Sequence, residues 1–141
     1  MGTSVSGPPV VYQYEPEYDP LKMGDMETSI VYYWRILAAP KGYPWPVPEH
    51  RFHPTRKWRF DLAFLSPIWL AVECEGGIFT KRAHGSVSGI LRDIEKYNAA
   101  TLAGWRVFRV TPLMLNDENA EATIKQIMKA IDTVQHRVEV R

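Results

Sequence analysis

Cysteine is almost missing from this chain of 141 residues, which carries only Cys74. A single thiol excludes an internal disulfide framework and a cysteine-rich zinc site. Long apolar runs are missing as well, because no stretch reaches the roughly 18 uninterrupted apolar residues that a membrane helix needs. The N-terminus also lacks the basic-then-apolar pattern of a signal peptide. We therefore expect a soluble, cytoplasmic protein without membrane contacts.

An excess of charge of one sign is missing too. Lysine and arginine together number 17, and aspartate and glutamate number 16, so the formal net charge is +1. Without a bulk basic field, any binding of nucleic acid has to come from local patches of charge. The apolar share of 45% is that of an ordinary globular protein, and the length suffices for one domain with a core.

Residues 1–22 differ in composition from the rest of the chain. GTSVSGPP is typical of a loop, and YQYEPEYDP is acidic, aromatic and interrupted by proline. We expect an N-terminal arm there, either disordered or lying on a partner subunit. A single domain is expected over residues 23–141.

The pattern of that domain alternates between helix and strand. Apolar spacing predicts a helix over about 27–38, and YPWPVP predicts a stiff, extended connector over 43–48. The further predicted elements are strands at 50–53, 57–65 and 67–75, a helix at 88–103, a strand at 105–111, and a last helix opened by Asn116 or Asp117. This order predicts an α/β domain with a mixed central β-sheet flanked by helices, in which the last two strands pair in parallel. The apolar line of the 88–103 helix consists of Ile90, Ile94, Tyr97 and Thr101, with Leu91 beside it.

Four carboxylates stand where a core pattern calls for apolar residues. Glu73 and Glu75 end one strand on the same face, and Asp61 interrupts the strand before it. Glu27 lies on the apolar face of the first helix. Such like charges cost free energy unless a cation lies among them, and carboxylate oxygens suit Mg²⁺ or Mn²⁺. The sequence therefore predicts a divalent metal held by the acids.

Cationic residues and histidines surround the acids along the sequence. They are Arg51, Arg56, Lys57 and Arg59, with His53 among them, in the predicted hairpin and Lys81, Arg82 and His84 in the loop after the glycines. Such side chains contact the phosphates of nucleic acid. A metal site beside a phosphate-binding surface suits hydrolysis of phosphodiester bonds, so we expect DNA as the partner.

The order of these motifs resembles a known superfamily. Asp61, followed after eleven residues by Glu73-Cys74-Glu75, resembles the PD-(D/E)XK nucleases, which place an acid on one strand and (D/E)-x-K on the next. EHRFHPTRKWRFDLAF, LAVECEGG, a loop histidine, DIEKYNAA and GWRVFRVTP resemble small phage and bacterial nucleases related to very-short-patch-repair and restriction-type endonucleases. The resemblance covers about residues 27–112. It implies a restriction-endonuclease-like core and Mg²⁺-dependent cleavage of DNA.

The resemblance also implies roles for single residues. Asp61 and Glu73 match the two metal-binding acids, and the strand brings the backbone carbonyl of Cys74 near them as a further ligand. Glu27 matches an acid that many members carry on the first helix. His84 resembles a histidine of the related enzymes, with a role in phosphate contact or proton transfer.

One position departs from the motif. Glu75 stands where the motif lysine is expected, although some members carry glutamate or aspartate there, followed by glycine. Lys96, on the following helix, is the candidate for a relocated lysine. Glu75 itself is a candidate base or a second metal ligand.

Other interpretations stay open. The acids would instead form a buried salt-bridge network with Arg59 or Lys96, and Glu27 would be a first-turn glutamate that favours the helix dipole, with Glu49 as its rival. The alternative functions are a Holliday-junction resolvase, a catalytically silent DNA-binding module and a small interaction protein with structural acids. A resolvase requires a homodimer, for which the arm or the last helix would supply the interface. A phage origin, with action in the cytoplasm of a bacterial host, follows only from the resemblance.

Overall fold

A four-stranded mixed sheet with the strand order β1-β2-β3-β4 forms the centre of the protein. The computed structural model describes residues 14–76 and 87–140, the last six of them as helix backbone. The elements in chain order are α1 (Asp25–Leu37), β1 (Val47–Arg51), β2 (Arg59–Phe64), β3 (Leu70–Cys74), α2 (Val87–Leu102), β4 (Arg106–Val110) and α3 (Ala120–Val140). Short 3₁₀ turns follow α1 and β4. The predicted α/β class is confirmed.

The strands pair as a meander followed by one crossover. β1 pairs with β2 and β2 with β3 in antiparallel fashion, whereas β3 and β4 are parallel. A parallel pair cannot be joined by a hairpin, and α2 lies in the connection between these two strands. The predicted parallel pairing is therefore confirmed.

The two faces of the sheet carry different layers. Alternate residues of β2 and β3, among them Leu62, Phe64 and Val72, pack with α1 and α3 in the main apolar core. The small side chains of Ala63 and Ala71 pack on the opposite face with Ala100 of α2. α2 also contacts the end of β3, where Lys96 forms an ion pair with Glu73.

The proline-rich connector ends earlier than expected. Val47 and Pro48 belong to β1, where they pair with Ala63 and Leu62. Proline lacks the N–H that a central strand donates, but β1 is an edge strand, so one side of it has no neighbouring strand among the described residues. The prediction of a connector reaching residue 48 was wrong for this reason.

The last helix begins later than its predicted opening residues. Asn116 accepts a hydrogen bond from the backbone N–H of Asn119 at 2.9 Å through its side chain, and from that of Ala120 at 2.9 Å through its backbone carbonyl. It therefore organises the turn that precedes α3. None of the described helices has the length and apolar character of a membrane span.

The described part of the expected arm lies against the domain. The hydroxyl of Tyr18 donates a hydrogen bond to the carbonyl of Pro46 at 2.7 Å, and its ring packs on Trp45. Glu15 forms an ion pair with Arg35 of α1. Residues 14–22 thus contact α1 and the segment that leads into β1.

The predicted apolar line of α2 is largely uncovered. Ile90 is 53% exposed and Ile94 is 51% exposed, and Leu91 is similar. Only Ala100 is buried among the residues of this helix. Apolar residues at this spacing usually face a core. In the part of the chain that the structure describes, this face of α2 is open to solvent.

Candidate functional site

Asp61 and Glu73 lie where β2 and β3 move apart. The last paired residues before this point are Leu62 and Val72, and the same register would bring the two acids opposite each other. Glu73 Oε2 accepts a hydrogen bond from the backbone N–H of Asp61 at 2.9 Å, and Asp61 Oδ2 accepts one from the backbone N–H of Cys74 at 2.8 Å. Carboxylate oxygens therefore take the place of backbone carbonyls as hydrogen-bond acceptors between the two strands. These hydrogen bonds hold both acids in fixed positions.

Glu73 is a buried carboxylate, with 4% of its surface exposed. Its Oε1 forms an ion pair with the ammonium group of Lys96 and accepts a hydrogen bond from the hydroxyl of Tyr97 at 3.2 Å. A buried charge is tolerated only when it is paired and hydrogen-bonded. The lysine that the sequence suggested as a replacement for the motif lysine thus contacts the second acid of the motif.

Glu75 belongs to the same network through Tyr97 and Arg109. Its Oε1 accepts a hydrogen bond from Tyr97 at 3.2 Å and from Arg109 Nε at 2.8 Å. Burial raises the pKa of the Tyr97 hydroxyl, and the charges of Glu73 and Glu75 raise it further. Tyr97 therefore stays protonated, and its single O–H group is shared between the two acids.

Glu27 approaches Asp61 from α1. The ligand atoms of Glu27, Asp61 and the Cys74 thiol all lie within 4.8 Å of one another. The Glu27 carboxylate folds back so closely over Gly24 that a β-carbon at position 24 would collide with it. Glu27 therefore touches both the start of its own helix and the acid cluster.

Asp61 is the most perturbed acid of the cluster. Burial raises its pKa to about 7, and the charges of Glu73 and Glu27 contribute to the increase, whereas the hydrogen bond from the Cys74 N–H opposes it. A carboxylate between two others is unfavourable when ionised unless a cation lies beside it. Negative charge is thus concentrated at this end of β2.

The donor set fits a hard cation. Burial, followed by the hydrogen bond with Glu27, raises the pKa of the Cys74 thiol, so the sulfur stays protonated and is a poor ligand. The remaining donors are carboxylate oxygens, mainly of Asp61 and Glu27 and, beside them, Glu73. Such oxygens suit Mg²⁺ or Mn²⁺ rather than a thiophilic metal.

The predicted ligand set is only partly brought together. Asp61 and Glu73 are neighbours, and Glu27 joins Asp61, but Glu75 is connected to Glu73 through Tyr97 and not directly to Asp61 in the part of the chain that the structure describes. The backbone carbonyl of Cys74 stays a predicted ligand. The structure thus groups Asp61 more closely with the helix acid than with Glu75.

The basic hairpin loop, residues 52–58, stands beside the site. Arg51 donates hydrogen bonds to the carbonyls of Arg56 and Thr55, at 3.2 and 3.4 Å, and so fixes the loop. Arg56 lies 4.0 Å from the ring centre of Trp58 and pairs at 3.3 Å with Glu95 of α2.

The remaining predicted DNA contacts fall into two groups. Lys57 and Arg59 are exposed, and Arg59 lies 4.0 Å from Glu49, its partner in a weak ion pair. Lys81, Arg82 and His84 lie outside the described residues. The rival acid Glu49 is on the edge strand β1 and faces Arg59 of the neighbouring strand β2.

Arg109 and Tyr97 are the site residues that sequence reasoning missed. Arg109 stands opposite Glu73 in the parallel register of β3 and β4. A charged residue near the end of a strand that runs beside the acid strand was the available signal. Its pairing with Glu75 depends on that register, which the sequence does not fix.

We expect the stability of the metal-free protein to fall as the pH rises from about 4 to about 7. The pKa of Asp61 is about 7 in the folded chain, against an ordinary value of 3.8, so the folded state binds the proton more tightly in this range. This stabilisation is complete below the pKa of Asp61 in the unfolded chain and is lost as the pH rises through its pKa in the folded chain. Denaturant unfolding in EDTA at pH 5 and pH 8 measures it for wild type and Asp61→Asn. Equal pH dependence in both proteins would contradict the assignment, because the asparagine does not titrate.

No protein-family model, curated protein or solved structure matches the chain in the three comparisons with known proteins. The acid cluster around Asp61 is the most specific feature of the described residues.

Proposed function

We propose that this chain is a divalent-metal-dependent DNA endonuclease with a restriction-endonuclease-like core of the PD-(D/E)XK type. The observation that carries the proposal is the position of Asp61 between Glu73 and Glu27, where β2 and β3 move apart, with Lys96 on Glu73. Acids on adjacent strands and a lysine beside the second acid are what the sequence motif implies. The mixed sheet and its flanking helices support the same proposal.

The acids would hold the metal. Asp61 would be a direct ligand, Glu73 a second, and Glu27 would bind directly or through water. When bound, Mg²⁺ or Mn²⁺ polarises phosphoryl oxygens and lowers the pKa of water. The acids in turn lose the repulsion that raises the pKa of Asp61.

Lys96 is the better candidate for the role of the motif lysine. Its ammonium group is mostly buried and is held on Glu73, within reach of a group bound beside the acids. Glu75, in contrast, is bound by Arg109 and Tyr97. We assign Lys96 to orienting the attacking water and a phosphate oxygen, and Glu75 to accepting a proton from that water.

The hairpin loop would contact the DNA backbone. Arg56 forms an ion pair with Glu95, the residue before Lys96, so the loop lies next to α2. Lys57 and Arg59 are exposed there. Arg51 supports the loop from within through its hydrogen bonds to loop carbonyls.

We expect Lys57→Ala to weaken DNA binding about equally for all sequences. One lost phosphate contact lowers the slope of log affinity against log salt by about 0.9 for duplex DNA. Fluorescence anisotropy at several salt concentrations measures this slope. Lys125→Ala is the matched control, because Lys125 is an exposed lysine of α3 with its own partner, Glu121. An equal change of slope in both variants would contradict the proposal that the hairpin loop contacts the DNA backbone.

A second function is favoured by one specific observation. Among the described residues, every buried side-chain nitrogen or oxygen has a hydrogen-bond partner, and Lys96 already balances Glu73. The acids are therefore satisfied within the chain itself. This arrangement suits a DNA-binding module that kept the fold and lost the chemistry.

Cleavage of several DNA forms tests the proposal. Supercoiled, linear, single-stranded and four-way-junction DNA are incubated with the protein in Mg²⁺, Mn²⁺ or EDTA. Cleavage in either metal and none in EDTA is the expected result. Cleavage confined to the junction, by a dimer, would favour the resolvase. Binding without cleavage of any form would contradict the nuclease and favour the silent module, and absence of both would indicate structural acids.

A further inference from the structure

A cavity of about 400 Å³ lies between α2 and β4, beside the acid cluster. Its lining residues are Ile90, Asp93, Ile94, Tyr97, Asn98 and Arg109. The volume falls in the range of clefts that bind small organic ligands. Tyr97 and Arg109 both contact Glu75, so a ligand in this cavity would adjoin the proposed site.

One wall of the cavity is apolar and uncovered. Ile90 and Ile94 are one helical turn apart, and each exposes about half of its side chain. An apolar wall next to a few polar groups is typical of a site for a flat, partly apolar molecule. The ring of Tyr97 contributes less to such a wall, because Lys96 and Arg109 already lie 5.5 and 5.2 Å from its centre.

The polar groups of the cavity match a nucleotide. Arg109 uses Nε for Glu75, while its side chain remains 55% exposed, so further guanidinium N–H groups face outward to a phosphate. The amide of Asn98 can donate and accept, and the carboxylate of Asp93 can accept. Donors and acceptors of this kind pair with the edge of a base. The carboxylate of Asp93 argues against a phosphate deep in the cavity and places it at Arg109.

We propose that this cavity binds one unpaired nucleobase of the DNA substrate, with a neighbouring phosphate at Arg109. The inference rests on the proposed function and specifies its substrate class: single-stranded DNA, or a duplex with an unpaired base. A base stacked in a duplex presents only its edge, so a base whose face lies on Ile90 and Ile94 has to leave the stack, which costs least where the base is already unpaired. The base lies against Ile90 and Ile94, and Asn98 and Asp93 contact its edge.

Binding to two short strands of equal charge tests the inference. Full-length protein in EDTA is titrated with a labelled eight-nucleotide single strand, and with the same strand carrying abasic nucleotides at its centre. Wild type is expected to bind the strand with bases at least ~10-fold more tightly, since one base contact contributes that much. Ile94→Glu is expected to bring this ratio close to one, and Asn98→Ala to lower it several-fold.

Leu102→Glu is the matched control. Leu102 is an exposed apolar residue of the same helix outside the cavity, and the substitution adds the same charge. General charge repulsion lowers the affinity for both DNA strands alike, so the control should keep the wild-type ratio of affinities. A wild-type ratio near one, or an Ile94→Glu ratio equal to that of the control, would overturn the inference. If Ile94→Glu does not fold, the Asn98→Ala ratio decides alone.

The binding ratio tests the base site and the cleavage assay tests the nuclease, so either hypothesis can be rejected without the other. A base-dependent ratio that the cavity variants abolish, without cleavage of any DNA, would support the cavity and reject the nuclease. Cleavage with a ratio near one would support the nuclease and reject the cavity as a base site.

Discussion

Asp61→Asn is expected to reduce metal-dependent DNA cleavage at least ~10³-fold, because bound metal contributes several kcal/mol to stabilising the transition state. Asparagine keeps an oxygen that accepts the hydrogen bond from the Cys74 N–H, so the local backbone should be preserved. The substitution removes the charge that holds the cation. Cleavage is measured under single-turnover conditions in Mn²⁺.

The matched control for that experiment is Asp132→Asn, which removes an exposed carboxylate of α3 that bonds Tyr43. Its cleavage rate should stay within about twofold of wild type. The denaturation midpoint of Asp61→Asn in EDTA shows whether the variant is folded. A folded Asp61→Asn that cleaves at the wild-type rate would eliminate Asp61 as a metal ligand.

Lys96→Met is expected to lower the free energy of unfolding by about 3–5 kcal/mol in EDTA. The substitution leaves a buried Glu73 without its cation, and breaking one side of a buried ion pair has a cost of this size. Methionine keeps most of the length of the lysine stem, so little packing is lost. Urea unfolding at pH 8 gives the difference from wild type.

Saturating Mn²⁺ should restore part of the stability of Lys96→Met, because a bound cation compensates the charge of Glu73. Lys125→Met is the comparison for an exposed ion pair, with an expected loss below about 1 kcal/mol. A loss as small in Lys96→Met as in Lys125→Met would show that Glu73 does not depend on Lys96. A loss that Mn²⁺ does not reduce at all would show that no cation binds beside Glu73.

The alternation of apolar and polar residues was enough to predict the strands of a mixed sheet. It placed Asp61 and Glu73 on neighbouring strands, whereas Lys96 was suggested by the resemblance to the nuclease motif. The proximity of the two acids follows from strand pairing alone, which is why the sequence predicts it. The extent of β1 was missed, because whether Pro48 belongs to a strand depends on the strand being at an edge.

Contacts that depend on three-dimensional register were beyond the sequence. The pairing of Arg109 with Glu75 requires the parallel alignment of β3 and β4. The closeness of Glu27 to Cys74 and Asp61 depends on how α1 lies across the sheet. The spacing of Ile90 and Ile94 identified an apolar face of α2, but periodicity does not say whether anything covers that face.

Isothermal titration calorimetry tests most directly whether the acid cluster is a metal site. It measures Mn²⁺ binding to wild type and to Asp61→Asn at pH 8 without DNA. At least one Mn²⁺ should bind per wild-type chain. That binding should be lost in Asp61→Asn and retained in Asp132→Asn. No heat of binding in wild type, or equal binding in wild type and Asp61→Asn, would contradict a metal site at the acid cluster.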